Sequence, residues 1–401
     1  MTDPLGQSQV IPYLIKLSKD GFVFSLLSFE KKERFETGET AIRSLLNQHQ
    51  IEWYPQIYTK RPPILSTLWD VYKMNQQAKI LHFQKRFAIL HCRSYIAALI
   101  GLRFQKKFGV KFIFDMRGFY ADERVDGKIW NLQNPIFNQV YKFFKRKEKA
   151  FLENADYTIS LTENGKKEIE SWELFLDKQS KIEVIPCCAD LDFFNYHTIS
   201  KEAKESLRNE LDIGKNHFIV SYLGSIGTWY MLEEMLDFFK KLLEKIPNAT
   251  FLFITNENPS LIFESATKKG IEKKHFVVKS AKRNEVPLYL SLSDVSLFFI
   301  KPVFSKKASS PTKQGEIMGM GVPLICNTNV GDVDFIVKDT GCGEVLDTLN
   351  DAAYSEVLNR MENIKNIRPE KIRAGAQKYY SLESGAQKYL SVYKKILGKN
   401  A

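Results

Sequence analysis

Short apolar runs alternate with longer amphipathic stretches along this chain, and the rhythm restarts halfway. This alternation is typical of a parallel sheet wrapped by helices. The sequence therefore predicts an α/β protein. The predicted strands are residues 22–29, 87–91, 111–115, 157–161 and 182–185 in the first half, and 218–223, 250–254, 275–278, 295–300, 322–326 and 343–345 in the second.

The 401 residues fit two domains, since a domain usually has about 100–200 residues. We place a first Rossmann-like domain at 1–190 and a second at 217–378. Residues 191–216 are polar and lack a sustained apolar period, which indicates a linker. Residues 379–401 have the period of a C-terminal helix.

The first predicted element is a loop, although a doubly wound domain normally opens with a strand, a loop and then a helix. Residues 3–8 have the character of that loop, and 9–18 the character of the helix. We therefore expect that Met1 is not the natural beginning. A strand of about five to eight residues should precede it and lie in the middle of the first sheet.

Composition narrows the compartment and the partners. No apolar run reaches the roughly 20 residues of a membrane-spanning helix, and residues 1–9 lack the regions of a signal peptide. Five scattered cysteines without a C-x-x-C pair disfavour a disulfide framework or a zinc site. We expect a cytoplasmic protein. Its net charge of +11 fits anionic lipid or a phosphorylated substrate, and without a nucleic-acid-binding motif we expect no nucleic acid partner.

Six segments along the chain resemble glycosyltransferase family 4, most closely the bacterial members that build surface polysaccharides. They are residues 3–14, 91–102, 114–130, 184–194, 222–236 and 310–325. The resemblance implies two Rossmann-like domains facing each other across a cleft (the GT-B fold), with a C-terminal helix crossing back to the first domain. It also implies metal-independent, retaining transfer of a sugar to a glycan or lipid-linked acceptor. The donor would be a nucleotide sugar, UDP- or GDP-linked, with no separate cofactor.

The segment 310–316 is the strongest candidate for binding the donor. Ser310 and Thr312 lie where a loop opens a predicted helix, and the N–H groups and dipole of a helix start attract phosphate. Lys313 adds a full positive charge. In the family pattern Glu316 binds the ribose hydroxyls, whereas the second family glutamate, eight positions earlier, is replaced by Ala308.

A second donor-binding loop is predicted after strand 218–223. Its residues are Gly224, Ser225, Gly227 and Thr228. A glycine turn between a strand and a helix lets backbone approach a phosphate. Relatives carry an arginine and a lysine near Ser225 and Tyr230, so here the positive charge must come from Lys313 or Lys301. The aromatic pair Trp229 and Tyr230 either lines the cleft or packs on the neighbouring helix.

In the first domain, arginines follow two predicted strands at the edge where open α/β sheets bind ligands. Arg93 and Arg117 suit paired hydrogen bonds to phosphate or carboxylate. We predict catalytic roles for Arg117, Asp115, Lys313 and Glu316. The predicted acceptor-binding residues are Gly6, Arg93, Arg117, Asp122 and Glu123.

Three further features of the chain have alternative interpretations. The loop containing Asp122, Glu123 and Arg124 either contacts the acceptor or is a solvated charged loop. His91 is better explained as a satisfied histidine at a strand end. The pairs Asp190/Asp192 and Asp332/Asp334 imitate the D-x-D metal motif, but neither has further converging ligands, and we expect no metal.

The helical stretch 139–153 carries apolar residues on one side and basic residues on the other. Such a helix either lies on an anionic membrane, at the inner face of the cytoplasmic membrane here, or packs on the core with a solvated basic face. Two rivals to the transferase remain at this point: a sugar-nucleotide 2-epimerase, and a degenerate glycosyltransferase fold that serves as a scaffold.

Overall fold

The computed structural model of the protein describes residues 1–62, 64–175 and 179–398. The chain forms two compact units. The first contains Met1–Pro186 and Leu382–Ala401, and the second contains Cys187–Ser381. Both contain parallel sheets with helices, so the predicted α/β class with two Rossmann-like units is confirmed.

The amino-terminal part of the first unit contains six strands and eight helices among its described residues. The strands are β1 Ser25–Glu30, β2 Glu52–Ile57, β3 Ile89–Arg93, β4 Lys111–Asp115, β5 Tyr157–Ser160 and β6 Ile182–Val184. The helices are α1 Pro4–Gln9, α2 Ile11–Lys19, α3 Lys32–Gln48, α4 Leu65–Lys85, α5 Ser94–Phe108, α6 Tyr120–Asp126, α7 Pro135–Asn154 and α8 Glu163–Glu170.

The second unit contains a further six strands and nine helices. The strands are β7 Phe218–Leu223, β8 Ala249–Ile254, β9 Phe276–Lys279, β10 Val295–Phe298, β11 Leu324–Asn327 and β12 Gly343–Leu346. The helices are α9 Lys201–Glu210, α10 Leu232–Lys245, α11 Pro259–Lys268, α12 Val286–Leu290, α13 Thr312–Gly319, α14 Val333–Thr340, α15 Asp351–Asn359, α16 Met361–Lys365 and α17 Pro369–Tyr380. The last helix, α18 Leu382–Ile396, belongs to the first unit and packs on α2.

The sheet of the second unit is continuous and parallel, in the order β12-β11-β10-β7-β8-β9. Its first strand, β7, lies in the middle, between the second and the fourth, which is the doubly wound order. All six residues of β7 are buried. Since the carboxyl end of this central strand marks the switch point of the sheet, a ligand site is expected there.

The strands of the first unit form two separate parallel sheets. One holds β1 and β2, and the other has the order β3-β4-β5-β6. Strand β2 is absent from the strands predicted from the sequence, and it contains Pro55, which cannot donate a hydrogen bond to a sheet. The structure tolerates Pro55 because β2 lies at a sheet edge, with β1 as its one partner among the described residues.

Residues 191–216, which the sequence analysis treats as a linker, lie in the second unit and include α9. Arg373 of α17 fixes their first turn. Its guanidinium donates to the carbonyl oxygens of Leu191 at 2.6 Å and Phe194 at 2.7 Å. Among the helices that the structure describes, none is both long and apolar enough to cross a membrane.

Candidate functional site

The turn after β7 begins at Gly224, where a side chain would come close to Lys313. Gly224 has a φ of +113°, and a Cβ atom there would lie 3.1 Å from the Nζ of Lys313. Glycine is therefore required at 224 for both backbone conformation and space. Gly227 faces open space, so packing does not explain it, and Ser225 and Thr228 are exposed.

Lys313, in the first turn of α13, points its ammonium group into a cage of aromatic rings. Its Nζ lies 3.7 Å from the ring centre of Tyr230 and 4.3 Å from that of Tyr222, and it donates to the Tyr222 hydroxyl at 3.2 Å. Burial lowers the pKa of Lys313 well below its usual value, opposed by the charge of Glu316. Among the described residues no carboxylate pairs with this ammonium. A buried lysine without a carboxylate at ion-pair distance, beside an open glycine turn, is suited to receive an anion, which would stabilise its charged form.

A second buried lysine, Lys306, lies on the segment between β10 and α13. The Nζ of Lys306 is 3.7 Å from the ring centre of Trp229, which is cation–π distance. Trp229 and Tyr230 thus each contact a lysine of the segment that follows β10. Lys301, the other lysine predicted beside Lys313 as a source of positive charge, is exposed, and its backbone N–H donates to the Trp229 carbonyl.

Glu316 lies one turn further along α13, where Arg283 holds it. The guanidinium of Arg283 donates to the Glu316 carboxylate at 3.3 Å and lies 5.4 Å from the ring centres of Phe193 and Phe194. Burial raises the pKa of Glu316, while the charge and hydrogen bond of Arg283 act in the opposite direction. Arg283 is absent from the site residues predicted from the sequence; the available signal was the pair Lys282-Arg283 shortly after predicted strand 275–278, at the ligand-binding edge.

The glycines after Lys313 serve packing. A Cβ at Gly315 would lie 2.9 Å from the Cβ of Tyr380, and one at Gly319 would lie 2.9 Å from the carbonyl oxygen of Phe194. Helix α13 can therefore approach α17 closely, which fixes the positions of Lys313 and Glu316.

The remaining predicted donor residues have structural contacts. The Ser310 hydroxyl accepts a hydrogen bond from the backbone N–H of Cys187 at 3.1 Å. Thr312 is half-buried at the start of α13, where Pro311 provides no side-chain cap. Ala308 is buried, so the position of the second family glutamate holds an apolar group.

In the first unit, Asp115 at the end of β4 gathers cationic and hydroxyl groups around a buried carboxylate. The distances to its oxygens are 3.5 Å from the His91 Nε2, 3.5 Å from the Arg93 Nη1 and 3.7 Å from the Arg117 Nη1. The Tyr389 hydroxyl of α18 donates to it at 3.2 Å. Burial raises the pKa of Asp115, but Arg117, His91 and Arg93 together hold it well below its usual range.

The cluster orients the two predicted arginines. Arg117 has a φ of +59°, a left-handed conformation that few non-glycine residues adopt, which is consistent with a constrained position. Asp115 is 1% exposed, so its carboxylate is placed to position Arg93 and Arg117 rather than to meet a ligand. His91 also bonds through Nδ1 to the Tyr393 hydroxyl at 2.7 Å, which ties the end of β3 to α18.

The loop predicted to carry Asp122 and Glu123 needs correction. Asp122 and Glu123 lie in helix α6 rather than on a loop. Asp122 accepts hydrogen bonds from Tyr141 at 2.9 Å and from Lys145 at 2.9 Å, which fastens α6 to α7. At Gly6, the space that a side chain would need is taken by Met1, whose Cα would lie 2.6 Å from a Cβ, so glycine is required there by packing.

Neither of the two D-x-D pairs belongs to a group of potential metal ligands among the described residues, and Asp190 has a structural role. Asp190 caps the turn that follows it, accepting the N–H groups of Asp192 and Phe193 at 3.1 Å each. Across residues 1–62, 64–175 and 179–398, no group of three potential ligands could hold a metal ion.

Two family profiles match the chain in sequence. The one described as "Glycosyltransferase Family 4" matches residues 9–193, and the one described as "Glycosyl transferases group 1" matches residues 203–379. Together the two matches extend over nearly the whole chain. A search of curated proteins gave no match.

Solved structures with this fold share little sequence identity with the chain. A glycosyltransferase from Rickettsia africae has a TM-score of 0.70 at 16% identity, covering 99% of this chain and 97% of its own. HepE of Anabaena, solved in complex with UDP-glucose, has a TM-score of 0.65 at 14% identity, covering 92% and 99%. The UDP-GlcNAc 2-epimerase of Neisseria meningitidis, bound to UDP-GlcNAc, has a TM-score of 0.56 at 13% identity, covering 96% of each chain. At 13–16% identity this similarity establishes the fold, and the reaction has to be inferred from the residues of the site.

Proposed function

Because this chain belongs to the glycosyltransferases, with a family 4 half followed by a group 1 half, we propose that it transfers a sugar from a nucleotide-sugar donor. The observation that carries this proposal is the buried ammonium of Lys313 beside the Gly224 turn. Its burial without a carboxylate partner is unfavourable for folding and is explained if a diphosphate provides the counter-charge. We propose a UDP- or GDP-linked donor, with no metal and no separate cofactor.

The donor would lie along the carboxyl edge of the second unit's sheet. Its diphosphate contacts the N–H groups around Gly224 and the ammonium of Lys313, with Lys306 adjacent. The ribose hydroxyls contact Glu316, oriented by Arg283. During transfer the nucleoside diphosphate leaves, and its phosphate oxygen assists removal of the proton from the incoming hydroxyl. Preorganised cations stabilise the charge that grows on that phosphate. Because the assisting oxygen lies on the face from which the nucleotide leaves, this proposal implies retention at the sugar carbon.

On the first unit, Arg93 and Arg117 provide the acceptor contacts in this proposal, and Asp115 positions them. Two guanidinium groups suit an acceptor that carries phosphate or carboxylate, such as a lipid-linked diphosphate. The sequence resemblance supports a glycan or lipid-linked acceptor of cell-surface polysaccharide biosynthesis, made at the cytoplasmic side of the membrane.

We expect Glu316→Ala to weaken nucleoside diphosphate binding by about 1–3 kcal/mol, the usual effect of losing a hydrogen bond to a charged group. Glu316→Gln retains an acceptor atom and should lose less. Isothermal titration calorimetry of UDP and GDP against both variants and the wild type measures the difference. Glu344→Ala is the matched control, because Glu344, on β12, likewise forms an ion pair with an arginine, Arg360. Equal affinities for the wild type and Glu316→Ala would refute the ribose contact.

The 2-epimerase remains the second candidate, because a solved 2-epimerase shares the fold. Incubation with UDP-GlcNAc separates the two reactions. An epimerase inverts C2 of the sugar, whereas a transferase leaves the sugar unchanged or releases it slowly to water.

A stripe of apolar residues on α4 supports contact between the first unit and a membrane. The side chains on this stripe are each more than half exposed and lie within about a third of the helix circumference; they are Leu65, Leu68, Trp69, Tyr72, Ile80 and Phe83. Exposed Lys60 and Arg61 precede the helix. Exposed aromatic and aliphatic groups beside basic residues fit an anionic bilayer surface.

Helix α7, the membrane candidate of the sequence analysis, buries Phe144 and Phe151 and directs Lys145 to Asp122 and Glu148. Its contacts fit the core-packing alternative. We therefore place the proposed membrane contact on α4.

We expect Leu68→Glu to reduce binding to anionic vesicles several-fold, since it places a charge in the centre of the apolar stripe. Co-sedimentation with phosphatidylcholine vesicles containing phosphatidylglycerol measures the bound fraction. Leu261→Glu, at an exposed leucine on α11 of the second unit, is the matched control. Binding that is equal for both variants, or absent in the wild type, would contradict the assignment to α4.

A further inference from the structure

The side chain of Tyr222 is polar, although its strand lies in the middle of the second unit's sheet. Tyr222 is the next-to-last residue of β7 and is fully buried. Its ring packs against the rings of Phe253 at 5.6 Å and Tyr230 at 5.9 Å between centres. A phenylalanine would make the same ring contacts, so packing does not explain the hydroxyl group. A buried hydroxyl needs hydrogen-bond partners, and the partners of Tyr222 indicate its role.

The Tyr222 hydroxyl connects the turn after β7 with Lys313 of α13. It donates its proton to the carbonyl oxygen of Ser225 at 2.6 Å. A hydroxyl has one proton, so towards Lys313 it can act only as an acceptor. The ammonium of Lys313 donates to it at 3.2 Å. The bond to Ser225 therefore leaves the lone pairs of the hydroxyl oxygen to the ammonium.

The hydroxyl gives the Lys313 ammonium a direction that the aromatic rings cannot give. The ring faces of Tyr222 and Tyr230 attract the positive charge as a whole. Among the residues that the structure describes, Tyr222 provides the one oxygen that accepts a hydrogen bond from Lys313. An ammonium has three donors, so two remain for a ligand. The Gly224 turn lies beside this nitrogen, since a Cβ atom at Gly224 would be 3.1 Å from the Nζ.

The backbone of the turn is also held by hydrogen bonds that do not involve Tyr222. The N–H of Gly224 donates to the carbonyl of Ile254 at 2.9 Å, and the N–H of Tyr230 donates to the carbonyl of Gly227 at 3.0 Å. Removing the hydroxyl should therefore leave the turn in place. Its effect on a bound anion should pass through Lys313, whose flexible side chain needs an acceptor to fix the terminal nitrogen.

We propose that Tyr222 is a positioning residue of the diphosphate site: its hydroxyl, oriented by the Ser225 carbonyl, holds the Lys313 ammonium beside the Gly224 turn. This inference rests on the proposed donor site and assigns a role there to a residue that does not itself contact the donor. A charge that is in place before the donor arrives needs no rearrangement during binding or transfer.

The same geometry predicts how nucleotide binding depends on pH. The titratable groups around the Lys313 ammonium are Tyr222 on β7, Tyr230 in the turn, Glu316 on α13, and Glu257, whose charge acts on Tyr222. Burial lowers the pKa of Lys313, and the charge of Glu316 opposes this. A hydroxyl that accepts from the ammonium also favours the charged form. Without the hydroxyl the pKa of Lys313 falls further, so the affinity for a nucleoside diphosphate should begin to decrease at a lower pH.

The test is calorimetric titration of UDP and of GDP into the wild type, Tyr222→Phe, Lys313→Met and the double variant. At pH 7 we expect Tyr222→Phe to bind the preferred nucleotide at least about fivefold more weakly than the wild type. The double variant should match Lys313→Met within about twofold, because the hydroxyl acts through the lysine. Tyr354→Phe is the matched control and should bind as the wild type does, since its buried hydroxyl also donates to a backbone carbonyl, that of Glu234 at 3.4 Å.

Titrations between about pH 7 and 9 separate positioning of the charge from a purely structural effect. A terminal phosphate has a pKa of about 6, so it keeps its charge over this range. The affinity of the wild type should fall as the pH rises and Lys313 loses its proton, and that of Tyr222→Phe should fall from a lower pH. Lys313→Met should lack this part of the pH dependence.

Wild-type affinity in Tyr222→Phe would overturn the inference and leave the donor site intact. An equal loss from Tyr222→Phe with and without Lys313, or a pH profile that Tyr222→Phe does not shift, would show that the hydroxyl serves the fold of the turn instead. Wild-type affinity in Lys313→Met would contradict the proposed donor site itself, and this inference with it.

Discussion

Replacing Lys313 with methionine is expected to lower the rate of sugar transfer by about 10²-fold or more, which is typical of losing one preorganised charge-stabilising donor. Methionine has a similar length and suits the ring cage of Tyr222 and Tyr230, but has no charge for the donor diphosphate. Release of sugar from the bound nucleotide sugar into water measures the rate without an identified acceptor. Lys301→Met, at the exposed lysine of the same region, is the matched control and should retain most of the rate.

The same substitution should not destabilise the protein without ligand. The pKa of Lys313 is lowered by folding, so the unfolded chain binds its proton more tightly. The lysine therefore reduces the free energy of unfolding at every pH below its unfolded pKa of about 10.4, and this penalty fades as the pH rises towards that value. We expect Lys313→Met to unfold at an equal or higher temperature near pH 7, with a smaller gain in stability between pH 7 and 10 than the wild type. A loss of both stability and activity would mean that the lysine serves the fold.

Replacing Arg117 with alanine should lower the free energy of unfolding by about 3 kcal/mol, because a buried charge loses a partner. The buried carboxylate of Asp115 depends on Arg117, with His91 and Arg93 as its other cationic neighbours. Urea denaturation measures the change.

Two further variants separate the structural role of Arg117 from its proposed contact with the acceptor. Arg117→Lys keeps the charge and should restore most of the stability, yet it loses the planar fork and should still impair transfer to the acceptor. The affinity for UDP or GDP should be unchanged in Arg117→Ala and in Arg117→Lys. Arg103→Ala, on the exposed face of α5, should change stability by no more than about 0.5 kcal/mol. Wild-type transfer by Arg117→Ala would remove the residue from the site.

The sequence predicts the strand and helix order well because most elements have a strong local pattern. Strand β7 is an apolar run followed by glycine, and its role as the central strand follows from the doubly wound order. Strand β2 escapes prediction because its tolerance of Pro55 depends on being an edge, and edge position is a property of the folded sheet.

The site is predicted less completely than the fold. Lys313 and Glu316 lie on one helix, so their spacing in sequence reports their proximity. Arg283 comes from the loop after β9, and its approach to Glu316 depends on Phe193 and Phe194, about 90 positions away in the chain. Lys306 belongs to a Lys-Lys pair that resembles any solvated surface, and its burial against the ring of Trp229 is a property of the folded chain. Likewise, Asp122 is assigned to a loop in sequence because its partners, Tyr141 and Lys145, lie on another helix.

The central claim is that the second unit binds the diphosphate of a nucleotide sugar through Lys313. The most direct test is calorimetric titration of UDP and of GDP into the wild-type protein and into Lys313→Met. We predict that one of the two nucleotides binds the wild type at one site per chain, and that its affinity for the variant is about 10- to 100-fold lower. Binding of neither nucleotide, or equal affinity for both proteins, would contradict the account.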